Sequence, residues 1–131
     1  MKMVITFDYA KKIGTVAVKE GLVTAELFLH YLENCRKQLE PDWISVIDLF
    51  DAMSIADFEI DDISKIAEKS RTVSEIYPVK CIVVIAKDPF TTGLSQIFKQ
   101  MVESDKGHGH VYVVESKEEA DRTIDIILTK D

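Results

Sequence analysis

Two stretches constrain the fold of this chain more than any other feature. Ile44 to Phe50 (ISVIDLF) and Val79 to Ala86 (VKCIVVIA) are nearly unbroken runs of Val, Ile and other apolar residues. A strand wetted on one face alternates apolar with polar side chains, whereas continuous runs belong to strands covered on both faces, as in the middle of a parallel sheet. Around these runs the apolar period changes to that of helices. Ile60, Ile63, Ala67, Ser70 and Val73 mark one helix, with Asp57, Glu59, Asp61 and Asp62 at its start and Lys65, Lys69 and Arg71 further on, a charge order matched to the helix dipole at both ends. Thr24 reads as the N-cap of an earlier helix with Glu26 in its first turn, followed by Phe28, Tyr31, Leu32, Cys35 and Leu39 and ending near Pro41. Asp88 before Pro89 reads as a cap with proline at the first helical position, and Phe90, Leu94, Ile97, Phe98 and Met101 continue that helix. Ser116 and Glu119 have the spacing of a capping box, with Ala120, Ile124, Ile127 and Leu128 as the buried face beyond.

Met3 to Phe7 and Ile13 to Val18 read as strands joined by a turn at Asp8 to Lys12, and His110 to Val114 as a last strand. The order is therefore β-β-α-β-α-β-α-β-α. It implies an α/β fold: a mostly parallel five-stranded sheet with an antiparallel edge hairpin and covering helices. With 131 residues, five Gly, three Pro and no repeat or linker, residues 1–131 form a single domain. A domain of this size buries roughly two-thirds of its unfolded surface, so its core needs neither disulfides nor a metal. Cys35 and Cys81, on a helix stripe and inside an apolar run, read as buried thiols.

Charge and motifs narrow the function. Twenty-three acidic against sixteen basic side chains give a net charge of −7, which opposes binding to nucleic acid or anionic lipid. No apolar run approaches the ~20 residues of a membrane-spanning helix, and Asp8 interrupts the start before a signal-peptide core could form. The expected location is the cytoplasm, without membrane insertion. GxxxxGK[ST], GxGxxG, GxSxG and HExxH are all absent, and no Ser, His and acid trio is suggested by spacing, so no enzyme and no cofactor is expected. His108 and His110 flank Gly109, but two imidazoles without a further ligand do not make a metal site, and the segment reads as a glycine turn.

Between Leu39 and Ser64 there are eight acidic residues and no Lys or Arg. Asp48, Asp51, Ser54 and Asp57 fall where the carboxyl ends of the strands meet helix starts, the usual ligand crevice of an open α/β sheet. Three readings stand beside one another there: a solvated helix start, a docking surface for a basic partner, and a Mg²⁺ or Ca²⁺ site. A second candidate is the turn Lys87-Asp88-Pro89-Phe90-Thr91-Thr92-Gly93, where helix-start amides and a lysine could receive a small anion. The Phe90, Leu94, Ile97, Phe98 and Met101 stripe could line an apolar pocket or belong to the core.

Three segments carry a family resemblance. Ile47-Asp48-Leu49 before an acidic helix start, Val83 to Leu94 as strand, loop and Gly-Leu helix start, and Val111 to Ala120 as closing strand and Glu-Glu-Ala helix resemble the STAS or SpoIIAA-like domains. The likeness is closest to the stand-alone bacterial SpoIIAA-like proteins grouped with STAS and CRAL-TRIO domains. The resemblance implies the SpoIIAA-like fold and a non-catalytic regulatory module, most simply one that binds another protein. A carrier or sensor of a small apolar or anionic ligand is the alternative, and a homodimer is compatible with either. Regulatory members resemble one another in a D-S-S-G segment whose serine is phosphorylated; here the corresponding stretch is Ala56-Asp57-Phe58-Glu59, with no acceptor serine. Asp57 reads as a helix cap or as a fixed negative charge in its place, and Ser54 is the remaining hydroxyl in that loop.

Overall fold

The two apolar runs form adjacent central strands. In the computed structural model, which describes residues 2–20, 25–49, 60–103 and 110–130, β1 (Lys2–Asp8) and β2 (Ile13–Glu20) are followed by α1 (Ala25–Arg36), β3 (Ile44–Asp48), α2 (Ile60–Ile76), β4 (Cys81–Ile85), α3 (Pro89–Glu103), β5 (Val111–Val114) and α4 (Lys117–Thr129). Every residue of β3 and of β4 is buried, as their composition requires. The expected Thr24 cap, Asp51, Ser54, Asp57 and His108 lie outside the described residues.

The sheet runs in the order β1-β2-β3-β4-β5, with β1 antiparallel to β2 and the other pairs parallel. Crossovers of one hand along such a sequential order all return over the same face. Accordingly α1 (Phe28, Leu32), α2 (Ile63, Ile66, Ala67) and α3 (Leu94, Phe98, Val102) share one core with Val18, Ile47, Ile82, Val84 and Val111. The opposite face holds α4, whose Ala120 and Ile124 pack on Ile44, Val46, Cys81, Val83, Ile85 and Val114. The period of two along each strand sends alternate residues to these two cores. A third cluster, Val16, Cys35, Leu39 and Trp43, sits under the end of α1.

The helix signals hold at several ends. Asp88 Oδ1 accepts from the Thr91 amide at 2.9 Å, and Ser116 Oγ accepts from the Glu119 amide at 3.1 Å while Glu119 Oε2 accepts from the Glu115 amide. Helix α1 stops at Arg36, earlier than Pro41 suggested, and Gln38 and Leu39 donate to the carbonyls of Cys35 and Arg36 in tight turns. The basic residues expected to match the far end of α2 do not reach it: the helix continues to Ile76 and its last turn carries none. Arg36, arriving from α1, takes that place. It is fully buried, and its Nη1 donates to Ser74 Oγ at 3.1 Å and to the Tyr77 carbonyl at 3.5 Å, next to the negative end of the α2 dipole.

Among the described residues Arg36 Nε and Nη2 have no hydrogen-bond partner, and burial draws its pKa down to about 10. A buried cation with two of its three nitrogens idle holds its place at a cost in desolvation. Arg36→Met, which fills the same space without the charge, is expected to leave stability unchanged or to raise it by about 1 kcal/mol. Arg36→Ala, which opens a cavity, should lower it by about 3 kcal/mol. Urea denaturation of the two variants checks the contrast, and a Met variant as damaged as the Ala one would mean that the charge itself is required.

Candidate functional site

Strand parity separates residues that lie side by side in sequence. Ile47 and Leu49 join the core beneath α1, α2 and α3, while Asp48 between them turns to the α4 face, 5% exposed, with Ala17 and Ile85 as its strand neighbours. There Lys117, the first residue of α4, brings its Nζ to 3.7 Å from Asp48 Oδ2. A lysine is disfavoured by the dipole at a helix start, and the carboxylate beneath it offsets that. The sequence reading missed Lys117; the misplaced charge in the first turn of α4 was the available signal.

Asp48 and Lys117 close one end of a groove of about 340 Å³ between α4 and the hairpin half of the sheet. Val4, Thr6 and Asp8 of β1, Ile13, Thr15 and Ala17 of β2, and Val46 and Ile85 form its floor, and Ala120, Asp121 and Ile124 its wall. The groove exists because one helix covers only part of a five-stranded face. Lys11 Nζ, 4.0 Å from Asp125 Oδ1, links the hairpin turn to α4. The volume lies within the ~300–1,000 Å³ usual for small-ligand sites, and the floor pairs apolar surface with two threonine hydroxyls.

The β4–α3 turn is built differently. Lys87 and Asp88 are exposed and Thr91 is buried. Asp88 places its own carboxylate on the Thr91 amide and its carbonyl on the Thr92 amide at 2.9 Å, and Thr92 Oγ1 donates to the Ala86 carbonyl at 3.2 Å. Asp88 thus caps α3, Thr92 ties the helix start back to the end of β4, and the Thr91 amide that an incoming anion would seek is bonded to the chain itself. Of the acidic candidates at the preceding strand end, Asp48 alone is described.

Under α2 and α3 lies an apolar cavity of about 40 Å³, lined by Phe28, Ile47, Leu49, Ile63, Ile66, Val84, Leu94, Ser95 and Phe98. Leu94 and Phe98 of the α3 stripe are core residues, and Ser95 Oγ donates to the Thr91 carbonyl at 2.8 Å, which leaves the walls apolar. A cavity of this size admits water-sized groups and is far below the ~300 Å³ of ordinary ligand sites. No helix among the described residues is long and apolar enough to cross a membrane, and no group of three or more metal-ligating side chains occurs among them. No family model, no curated protein and no solved structure matches this chain.

Proposed function

We propose that this chain is a non-catalytic module of the SpoIIAA-like type that acts in bacterial regulation by binding another protein. The observation that carries the reading is the tract from Leu39 to Ser64, with eight acidic side chains and no basic one, which suits a basic partner surface. Glu40, Asp42 and Asp61 are its exposed carboxylates among the described residues, while Asp48 is buried beside Lys117. The sequential βα order and the Ile47-Asp48-Leu49 step at the end of β3 are compatible with the family, and the missing acceptor serine favours constitutive rather than phosphorylation-gated binding. Reversing Asp57 and Asp61 to lysine should remove the partners crosslinked to the native protein in its host. An unchanged set of partners would overturn the reading.

The α4-face groove favours a second reading, in which the module senses a small ligand. Native mass spectrometry of protein from its own host, before and after denaturation, should then show a retained mass that Ala17→Phe, which fills the groove floor, reduces at least tenfold. A bare chain in both spectra would remove this reading.

A further inference from the structure

Strand β1 is an edge of the sheet, and among the described residues no strand pairs with its outer side. It is seven residues long, carries no proline, and the irregularity in its pairing with β2 lies where Lys2 faces Glu20 and Met3 faces Val18, so the extra residue is in β2. Natural edges are ordinarily blunted by proline, bulges, short length or inward charges, and β1 shows none of these along Met3 to Phe7. Met3, Ile5 and Phe7 point to the helix-covered face and are only half-buried against Val16, Cys35, Leu39 and Trp43. Apolar side chains half-covered along an unpaired edge are completed when another strand is laid beside it.

We infer that β1 pairs with β1 of a second copy of this chain, antiparallel about a two-fold axis through Ile5, to make one continuous ten-stranded sheet. The sequence of the strand, KMVITFD, is self-complementary in that register. Residues whose numbers sum to ten face each other, so Lys2 stands opposite the second copy's Asp8 at both ends, Met3 opposite Phe7, Val4 opposite Thr6, and Ile5 opposite itself. All seven residues pair, Met3, Ile5 and Phe7 meet on the face covered by α1, and the terminal charges attract. A parallel pairing in register would set Lys2 against Lys2 and Asp8 against Asp8, and a shift of two residues would leave a charged end unpaired. The two-fold operator also gives the isologous closed contact that limits growth to two chains. Val4, Thr6 and Asp8 floor the α4-face groove, so the dimer would join the two grooves into one trough across the axis.

Sedimentation velocity across 1 μM to 1 mM protein at 0.15 M salt tests this; at that ionic strength repulsion between chains of net charge −7 is screened beyond ~8 Å. The expected result is a monomer–dimer equilibrium in the micromolar range. Lys2→Asp and Asp8→Lys should each weaken it about tenfold, since each turns two attractive pairs into repulsive ones, and the double exchange should restore it. Asp8→Lys also removes the Asp8 Oδ1 acceptor of the Lys11 amide, which Lys2→Asp leaves in place, so a loss common to both reports on pairing rather than on the turn. Hydrogen exchange of the β1 amides should slow as protein concentration rises. A monomer throughout the range would overturn the proposal and leave the edge to a strand from another protein. A dimer indifferent to both single exchanges, with β1 amides that exchange at one rate at all concentrations, would place the contact elsewhere and overturn it equally.

Discussion

Between pH 8 and pH 11 the protein is expected to lose about 3 kcal/mol of stability on balance, the loss coming from two buried thiols. Cys35 and Cys81 are buried and unpaired by any disulfide, and burial raises each thiol from 9.0 to about 11, only partly opposed by the charges of Arg36 and Lys80 respectively. From pH 9 to 11 the unfolded chain has released both protons while the folded chain retains them. Fewer protons on the unfolded state means that stability falls as pH rises, by about 2 kcal/mol for each thiol over the window. Arg36 works the other way. Its folded pKa of about 10 lies below the ordinary 12.5, so above pH 10 the folded state gives up a proton that the unfolded state keeps, and this returns about 1 kcal/mol by pH 11. The decline should therefore be steepest between pH 9 and 10 and flatter above. Urea midpoints at half-unit intervals would trace it, and the Cys35→Ala, Cys81→Ala double variant should lose most of the slope. If both proteins lose stability in parallel, the thiols are not its source. The same burial makes both thiols slow to react with an aqueous disulfide reagent in the folded protein.

Gly14→Val is expected to destabilise the fold by about 3 kcal/mol, more than an exposed strand glycine could. Gly14 lies in β2 with Phe7 and Ser45 as strand neighbours, directly beneath the end of α1. A Cβ there would come within 2.5 Å of Leu39 Cδ2, 3.1 Å of Leu39 Cδ1 and 3.3 Å of Cys35 Sγ. The glycine is needed for close approach of helix to sheet, and its φ does not lie in the left-handed region. Because Leu39 can swing, Gly14→Ala should cost less, about 1 to 2 kcal/mol, whereas valine adds two methyl groups that Cys35 and the strands confine. Leu39→Ala should be less damaging in the Gly14→Ala background than alone, a coupling that denaturant unfolding of the four proteins would measure. Additive costs would mean that the two residues do not compete for the same space.

The element order was legible because each strand and helix states its type locally. Ile44 to Asp48 and Cys81 to Ile85 are apolar on both faces, and Asp88, Pro89, Ser116 and Glu119 mark helix starts by side-chain chemistry that needs no tertiary partner. What remained hidden depends on contacts distant in sequence. Nothing near Arg36 announces that it will serve the end of α2, since Ser74 and Tyr77 are about forty positions away. The site was legible only in part for the same reason. Grouping Asp48 with its acidic neighbours follows the chain, whereas strand parity sends its side chain to the other face, where it meets Lys117. The groove was invisible altogether, because it results from the width of five strands set against one helix.

That imbalance between the faces has a consequence for how the chain is made. Each strand of the sequential sheet lies beside its predecessor, so a chain emerging from the ribosome can add one βα unit at a time without waiting for distant partners. The first three helices shield their face as they appear. The second face has no such schedule: Ile44, Val46, Cys81, Val83 and Ile85 stay bare until α4, the last of the described elements, is synthesised and lays Ala120 and Ile124 over them. A nascent chain halted after β5 would present that apolar band to solvent in full, and it is the part of this protein that a chaperone would have reason to hold.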